Sequence, residues 1–127
     1  MSQTVLDASA LLALLRNEPG ADLVAEVSAN ARMSSVNYAE VVSHFIHVGM
    51  PAGQVDAILR PLPMTIVDAD QALATFAGRL RAATAPAGLS LVGRVCLALA
   101  HRDALAALTA DRQWRSVAVG VEVSIIR

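Results

Sequence analysis

The chain has 127 residues, is 55 % hydrophobic and carries a formal net charge of −1. That length gives one domain, spanning residues 1–127, able to bury about two-thirds of its unfolded surface, and leaves no room for a second. A charge so close to zero supplies no average field for nucleic acid, so any RNA binding must come from a local basic patch.

Mean hydropathy is +0.52, yet no run approaches the roughly 18 apolar residues of a membrane span, and Asp7 and Ser9 interrupt the N-terminal stretch. The excess apolar surface is expected in a core or a subunit interface. No basic segment leads into an apolar run at the N-terminus, so a secretory signal is not expected and the chain reads as cytoplasmic. Cys96 is the single cysteine, which excludes an intrachain disulfide, and the run Val95-Cys96-Leu97-Ala98 favours a core thiol over a nucleophile. All ten basic residues are arginine. Without lysine there is no Walker P-loop, no Schiff-base enzyme and no lysine-dependent phosphoryl transfer.

In chain order, residues 3–7 read as a short buried strand and Ala8–Leu15 as a helix with leucines at helical spacing. Asn17-Glu18-Pro19-Gly20 breaks it, a second helix covers roughly 21–29, and a strand follows at Arg32–Ser34. Ser35 or Asn37 is expected to cap a long helix that carries Glu40 and ends at Gly49. Pro51 to about Leu62 forms a helix, Met64–Val67 a strand, and Asp68 or Asp70 caps a helix running to about Thr84. Ala85-Pro86-Ala87-Gly88 is a turn. Ser90 opens a helix through about Arg102, followed by a strand at Ala107–Thr109, a short helix from Asp111 and a last strand near Val121–Ile126. Helices alternating with short apolar strands predict an α/β fold, a three-layer α/β/α domain with a short, mainly parallel central sheet.

Three carboxylates sit where apolar segments end: Asp7, Glu40 and Asp111. Ligands of open parallel sheets lie beyond the carboxyl ends of the strands, where Asp7 and Asp111 project, and Glu40 can point into the same crevice. Acids gathered in one crevice repel unless a cation holds them, and oxygen-only ligation suits Mg2+ or Mn2+ over zinc. Such a site permits phosphodiester hydrolysis by metal-activated water.

At these residues the sequence resembles the PIN-domain ribonucleases, most nearly the VapC toxins of bacterial toxin–antitoxin pairs. The resemblance runs through Val-Leu-Asp-Ala-Ser-Ala-Leu-Leu-Ala-Leu-Leu at 5–15, Ser-Ser-Val-Asn-Tyr-Ala-Glu-Val at 34–41, Gly-Leu-Ser-Leu-Val-Gly-Arg-Val-Cys-Leu-Ala-Leu-Ala at 88–100 and Leu-Thr-Ala-Asp-Arg-Gln-Trp at 108–114. It implies a PIN-like fold, a Mg2+- or Mn2+-dependent endoribonuclease with Asp7, Glu40 and Asp111 as ligands, and Ser9 and Thr109 as supporting hydroxyls. It also implies a VapB antitoxin that wraps the toxin and blocks the site, a toxin homodimer, and an RNA substrate such as transfer RNA. Asn37 and the arginines Arg94 and Arg112 are candidates for RNA contact.

One departure stands out. Where the family reads Leu-Ser-Leu-Gly-Asp-Arg, this chain has Leu91-Val92-Gly93-Arg94, so Gly93 occupies the place of the third carboxylate. The exchange also removes the partner of a capping box begun by Ser90 and puts glycine in a helix's first turn, a loss of about 1 kcal/mol. Nothing in the local sequence calls for it, and an impaired enzyme or a catalytically silent module that binds antitoxin or RNA is expected. Other readings stay open at single residues. Asp7 and Asp111 can be N-caps; Glu40, His44 and His47 share a helical face that could hold zinc; Arg94 and Arg112 can grip a phosphate or form surface ion pairs; Trp114 can anchor the last short helix.

Overall fold

A computed structural model describes residues 3–127. Five strands, β1 (Thr4–Leu6), β2 (Ala31–Ser34), β3 (Thr65–Val67), β4 (Ala106–Thr109) and β5 (Val123–Ile125), form one sheet in the order β3-β2-β1-β4-β5. Every pairing is parallel, with Leu6 opposite Leu108 at the centre. Around it lie α1 (Ala8–Leu15), α2 (Ala21–Val27), α3 (Ser35–His47), α4 (Ala52–Leu59), α5 (Gln71–Arg79), α6 (Arg81–Thr84) and α7 (Leu91–Asp103).

Alternation along the strands divides the core between two faces. Leu6, Met33 and Leu108 point to the side covered by α1 to α4, with Leu11, Val24, Val41 and Val55. Val5 and Ala107 point to the other, where α7 lies against the sheet through Leu97 and Leu99 and α5 packs beside it through Leu73 and Ala77. The expected α/β/α layering is therefore present. The leucines of residues 11–15 belong to this core, Leu11 wholly so.

The boundaries differ from expectation where caps decide them. Ser34, not Ser35 or Asn37, caps α3, because its hydroxyl accepts the Asn37 amide N–H at 3.0 Å and donates back to Asn37 Oδ1. Asp70, not Asp68, caps α5, accepting from Leu73 N at 2.9 Å. The helix expected to reach Thr84 unbroken pauses at Leu80 and resumes as α6. Carbonyls at the end of α5 are reached by Arg94, whose Nη1 donates to Ala77 O at 3.3 Å and Gly78 O at 3.5 Å. Helix α2 stops at Val27 in a 3-10 turn, α4 stops at Leu59, and the segment after Asp111 is a 3-10 turn over Arg112–Ser116.

Gly20 makes one close approach possible. It adopts φ +96°, and a Cβ there would stand 2.7 Å from the Ile126 carbonyl. Among the described residues no helix is long and apolar enough to cross a membrane.

Candidate active site

The chain runs from β1 outward to β2 and later returns to place β4 on the other side of β1. A crevice opens at such a reversal, beyond the carboxyl ends of the strands. Asp7 leaves β1 there and Asp111 follows β4 closely, after Ala110, so both are positioned by adjacent central strands. Helix α3 brings Asn37 and Glu40 from one flank, and the start of α7 closes the other. A cavity of about 130 Å³ is lined by Asp7, Ser9, Asn37, Glu40 and Asp111 together with Leu89, Ser90, Gly93 and Trp114. A larger hollow of about 560 Å³ lies at the amino ends of the strands, beside Thr4, Ala106 and Ser124. It holds no comparable set of acids, and chemistry belongs to the smaller cavity.

Asp7 is the most constrained of the acids. It is 6 % exposed. Oδ1 accepts from Ala10 N at 2.8 Å and from Ser9 Oγ at 2.7 Å, while Oδ2 accepts from Thr109 Oγ1 at 2.6 Å. Asp7 is thus both the N-cap of α1 and a wall of the cavity, so the two readings of this acid hold together. Burial pushes its carboxyl from 3.8 up to about 6; the bonds from Thr109, Ala10 and Ser9 restrain the rise, and the Glu40 charge adds to it. Asp111 is likewise cap and wall: its Oδ1 accepts from Gln113 N at 2.9 Å, and its own N–H donates to Thr109 Oγ1 at 3.0 Å. Glu40 is exposed at the rim.

Supporting groups tie these acids to the frame. Thr109, fully buried, links Asp7 to the turn bearing Asp111. Ser9 bonds Asp7 and also accepts from Ala110 N at 2.9 Å. Asn37 Nδ2 donates to Val92 O at 3.2 Å, which joins α3 to the first turn of α7 across the cavity.

Six residues expected at the site, Asp7, Ser9, Asn37, Glu40, Gly93 and Asp111, line one cavity, with Thr109 directly beneath Asp7. The two arginines do not join them. Arg94 is buried with its guanidinium against the end of α5, as consecutive helical residues point about 100° apart and Gly93 has taken the cavity side. Arg112 is exposed, and its Nε donates to the Arg127 carbonyl at 3.2 Å, outside the lining. His44 Nε2 lies 3.2 Å from Arg16 Nη1, a cationic neighbour unsuited to the zinc alternative. Cys96 is fully buried and its thiol is pushed up by burial, as a core residue.

Sequence reasoning missed the opposite wall. Leu89, Ser90 and Trp114 line the cavity, and the Trp114 ring sits against Gly93. The available signal was spacing, with Trp114 three residues after Asp111 and Ser90 three before Gly93.

A divalent ion fits the donor chemistry, since the residues lining one small cavity include three carboxylates and the Ser9 hydroxyl. Among the described residues no three His, Cys, Asp or Glu gather into a ready cage. Mg2+ does not require one, because it retains waters and is commonly held through one or two carboxylates and a substrate phosphate.

The family model described as the PIN domain matches residues 4–120. The chain belongs to the PIN-domain family. Its fold is shared with DNA-bound VapBC from Salmonella typhimurium (15% identity, TM-score 0.77, all of both chains) and with VapC20 of Mycobacterium tuberculosis, a sarcin-ricin loop cleaving toxin (14% identity, TM-score 0.72, 94% of this chain and 98% of that one). A toxin–antitoxin complex from Klebsiella pneumoniae is also similar (18% identity, TM-score 0.68, 94% and 98%). Comparison with curated proteins gave no match.

Proposed function

We propose that this chain is a VapC-like toxin endoribonuclease that hydrolyses RNA phosphodiester bonds with Mg2+ or Mn2+, and that its turnover is impaired because Gly93 leaves the cavity one carboxylate short. The observation that carries this reading is the meeting of Asp7, Glu40 and Asp111 in one cavity at the carboxyl ends of two adjacent parallel strands. Asp7, Glu40 and Asp111 would hold the ion. When bound, it supplies a Lewis acid for a phosphoryl oxygen and a water nucleophile at neutral pH.

The chain's own residues then have distinct tasks. Ser9, Thr109 and the Ala10 N–H hold the Asp7 carboxylate in one orientation. Asn37 keeps α3, and with it Glu40, at a set distance from α7. A proton on Asp7 competes with the ion below about pH 6. Arg112, exposed just past Asp111 and outside the cavity lining, would meet the phosphate backbone of a strand leaving the cavity.

A VapB antitoxin, RNA such as transfer RNA and a second toxin copy are the partners this reading implies, in the cytoplasm. Ile46 (46% exposed) and Val48 (61%) at the end of α3 supply apolar surface for such contacts. A second reading, a silent module that binds antitoxin or RNA, is favoured by one observation, the uncharged wall of Gly93 and Trp114. Incubation of a transfer RNA pool with Mn2+ separates the two. Slow cleavage that Asp7→Ala abolishes supports the impaired enzyme. RNA binding without cleavage at any Mn2+ concentration replaces it with the silent module.

A further inference from the structure

Three of the ten arginines gather at the edge of the sheet that carries the cavity. Strand β5 ends there: the Ile126 N–H donates to Thr109 O at 3.0 Å, so the chain leaves the sheet beside the turn that bears Asp111. The next residue, Arg127, crosses to the loop after α1, where its Nη1 lies 3.2 Å from Glu18 Oε1 and 3.4 Å from Pro19 O. Glu18 takes a second guanidinium on its other oxygen, with Arg16 Nε at 3.6 Å. Arg16 Nη1 in turn lies 3.2 Å from His44 Nε2 on α3, and Arg112 Nε donates to Arg127 O at 3.2 Å. These contacts make one continuous band, Arg112, Arg127, Glu18, Arg16 and His44.

Each end of the band stands next to a cavity acid. Arg112 follows Asp111 in the chain, and His44 lies four residues after Glu40, about 6 Å along the axis of α3. The band carries three guanidiniums against one carboxylate, with the Arg16 and Arg127 side chains 48% and 32% exposed and Arg112 exposed as well. One ion pair, Glu18 with Arg127, is enough to hold the loop; the other two arginines only add like charge. A polyanion with regularly spaced charges compensates that excess. The cavity, at about 130 Å³, has room for the phosphate of one strand and not for a duplex.

We propose that Arg112, Arg127 and Arg16 form a phosphate rail that grips three backbone phosphates of a single-stranded RNA beside the cavity, with Glu18 fixing the spacing of Arg127 and Arg16. The rail rests on RNA as the ligand in the reading above; its test measures binding without metal, apart from any cleavage.

A fluorescein-labelled oligoribonucleotide of twelve uridines is titrated in EDTA by anisotropy at several salt concentrations. Three phosphate contacts give a slope of log K against log salt of about −2, at about −0.7 per contact on a single strand. Arg112→Gln and Arg16→Gln each flatten the slope by about 0.7, whereas Arg60→Gln, on a side chain 79% exposed beside Asp56, leaves it unchanged. Glu18→Gln removes the negative charge from the band and keeps an amide oxygen to accept from Arg127, so RNA binds about threefold tighter or more. A residue that served only to clamp the loop would give no gain.

Absence of RNA binding by the parent overturns the proposal, as does a Glu18→Gln variant that binds RNA no tighter. Equal flattening by Arg60→Gln overturns it too, since the contact is then diffuse. A polyglutamate peptide of twelve residues is the second probe: arginine-dependent binding tighter than that of the RNA makes the band a protein-docking surface and overturns the rail. Cleavage of a transfer RNA pool with Mn2+ is scored separately. Arginine-dependent RNA binding without cleavage keeps the rail and fails the enzyme reading; cleavage that Asp7→Ala abolishes, with slopes unmoved by Arg112→Gln and Arg16→Gln, keeps the enzyme and overturns the rail.

Discussion

Asp7→Asn separates the structural cost of the buried acid from its use. Burial raises the Asp7 carboxyl from 3.8 to about 6, so the folded state holds this proton more tightly than the unfolded chain. Its stabilising contribution is complete below about pH 4 and is lost as pH rises through about 6. A rise of about two pKa units, at about 1.36 kcal/mol each, makes the ionised carboxylate cost about 3 kcal/mol at neutral pH. Asparagine has the shape of the protonated acid and never ionises. Against that gain, its NH2 group replaces an oxygen that accepts from Thr109 and Ser9, and those hydroxyls must turn to accept instead, a loss of about 1 kcal/mol. The net expectation at pH 7.5 is a variant more stable by about 2 kcal/mol, or about 8 °C in melting temperature for a domain of this size. Thermal melts followed by circular dichroism, in chelator, at pH 4, 5, 6 and 7.5 check it. The gap between variant and parent is smallest at pH 4 and reaches full size above pH 6. Adding Mn2+ then raises the melting temperature of the parent and not of Asp7→Asn. A variant that melts below the parent at pH 7.5, or a gap that does not depend on pH, refutes the reasoning.

Three further changes test other parts of the structure. Gly20→Ala forces a Cβ onto the Ile126 carbonyl at φ +96°, so urea unfolding should show a loss above about 2 kcal/mol. Arg94→Met removes the guanidinium that reaches the Ala77 and Gly78 carbonyls; stability should fall by about 1.5–3 kcal/mol, with Mn2+ and RNA affinities unchanged in calorimetry and filter binding. Asp111→Asn keeps an acceptor for Gln113 N–H and removes one carboxylate from the cavity, so the metal-free melting temperature should move by no more than the equivalent of about 0.5 kcal/mol while the Mn2+-dependent rise shrinks.

Much of the cavity could be read from residue order because strand-end acids are placed by local rules. A short apolar strand followed at once by Asp7 and a helical leucine pattern leaves the carboxylate at the sheet's carboxyl edge, and the same holds for Asp111 after Leu108 and Thr109. Capping was harder to assign. Ser34, Ser35 and Asn37 are all competent caps, and only the hydroxyl–amide pair between Ser34 and Asn37 distinguishes them. Arg94 was legible in principle, because a residue beside Gly93 on a helix cannot share its direction, yet the carbonyls it meets belong to a helix some sixteen residues earlier.

The sequence by itself determined the alternating α/β order, the parallel sheet and the three acids Asp7, Glu40 and Asp111, since apolar periodicity and an acid at a strand's end act over a few neighbouring residues. Tertiary structure alone decided what surrounds Gly93. In residue order it is a departure from the family's acid and a weakened helix start; in three dimensions the Trp114 ring, from a separate and later segment of the chain, lies against it. Contacts between distant segments follow from how two elements pack against each other, and the spacing of side chains within either one does not contain that information.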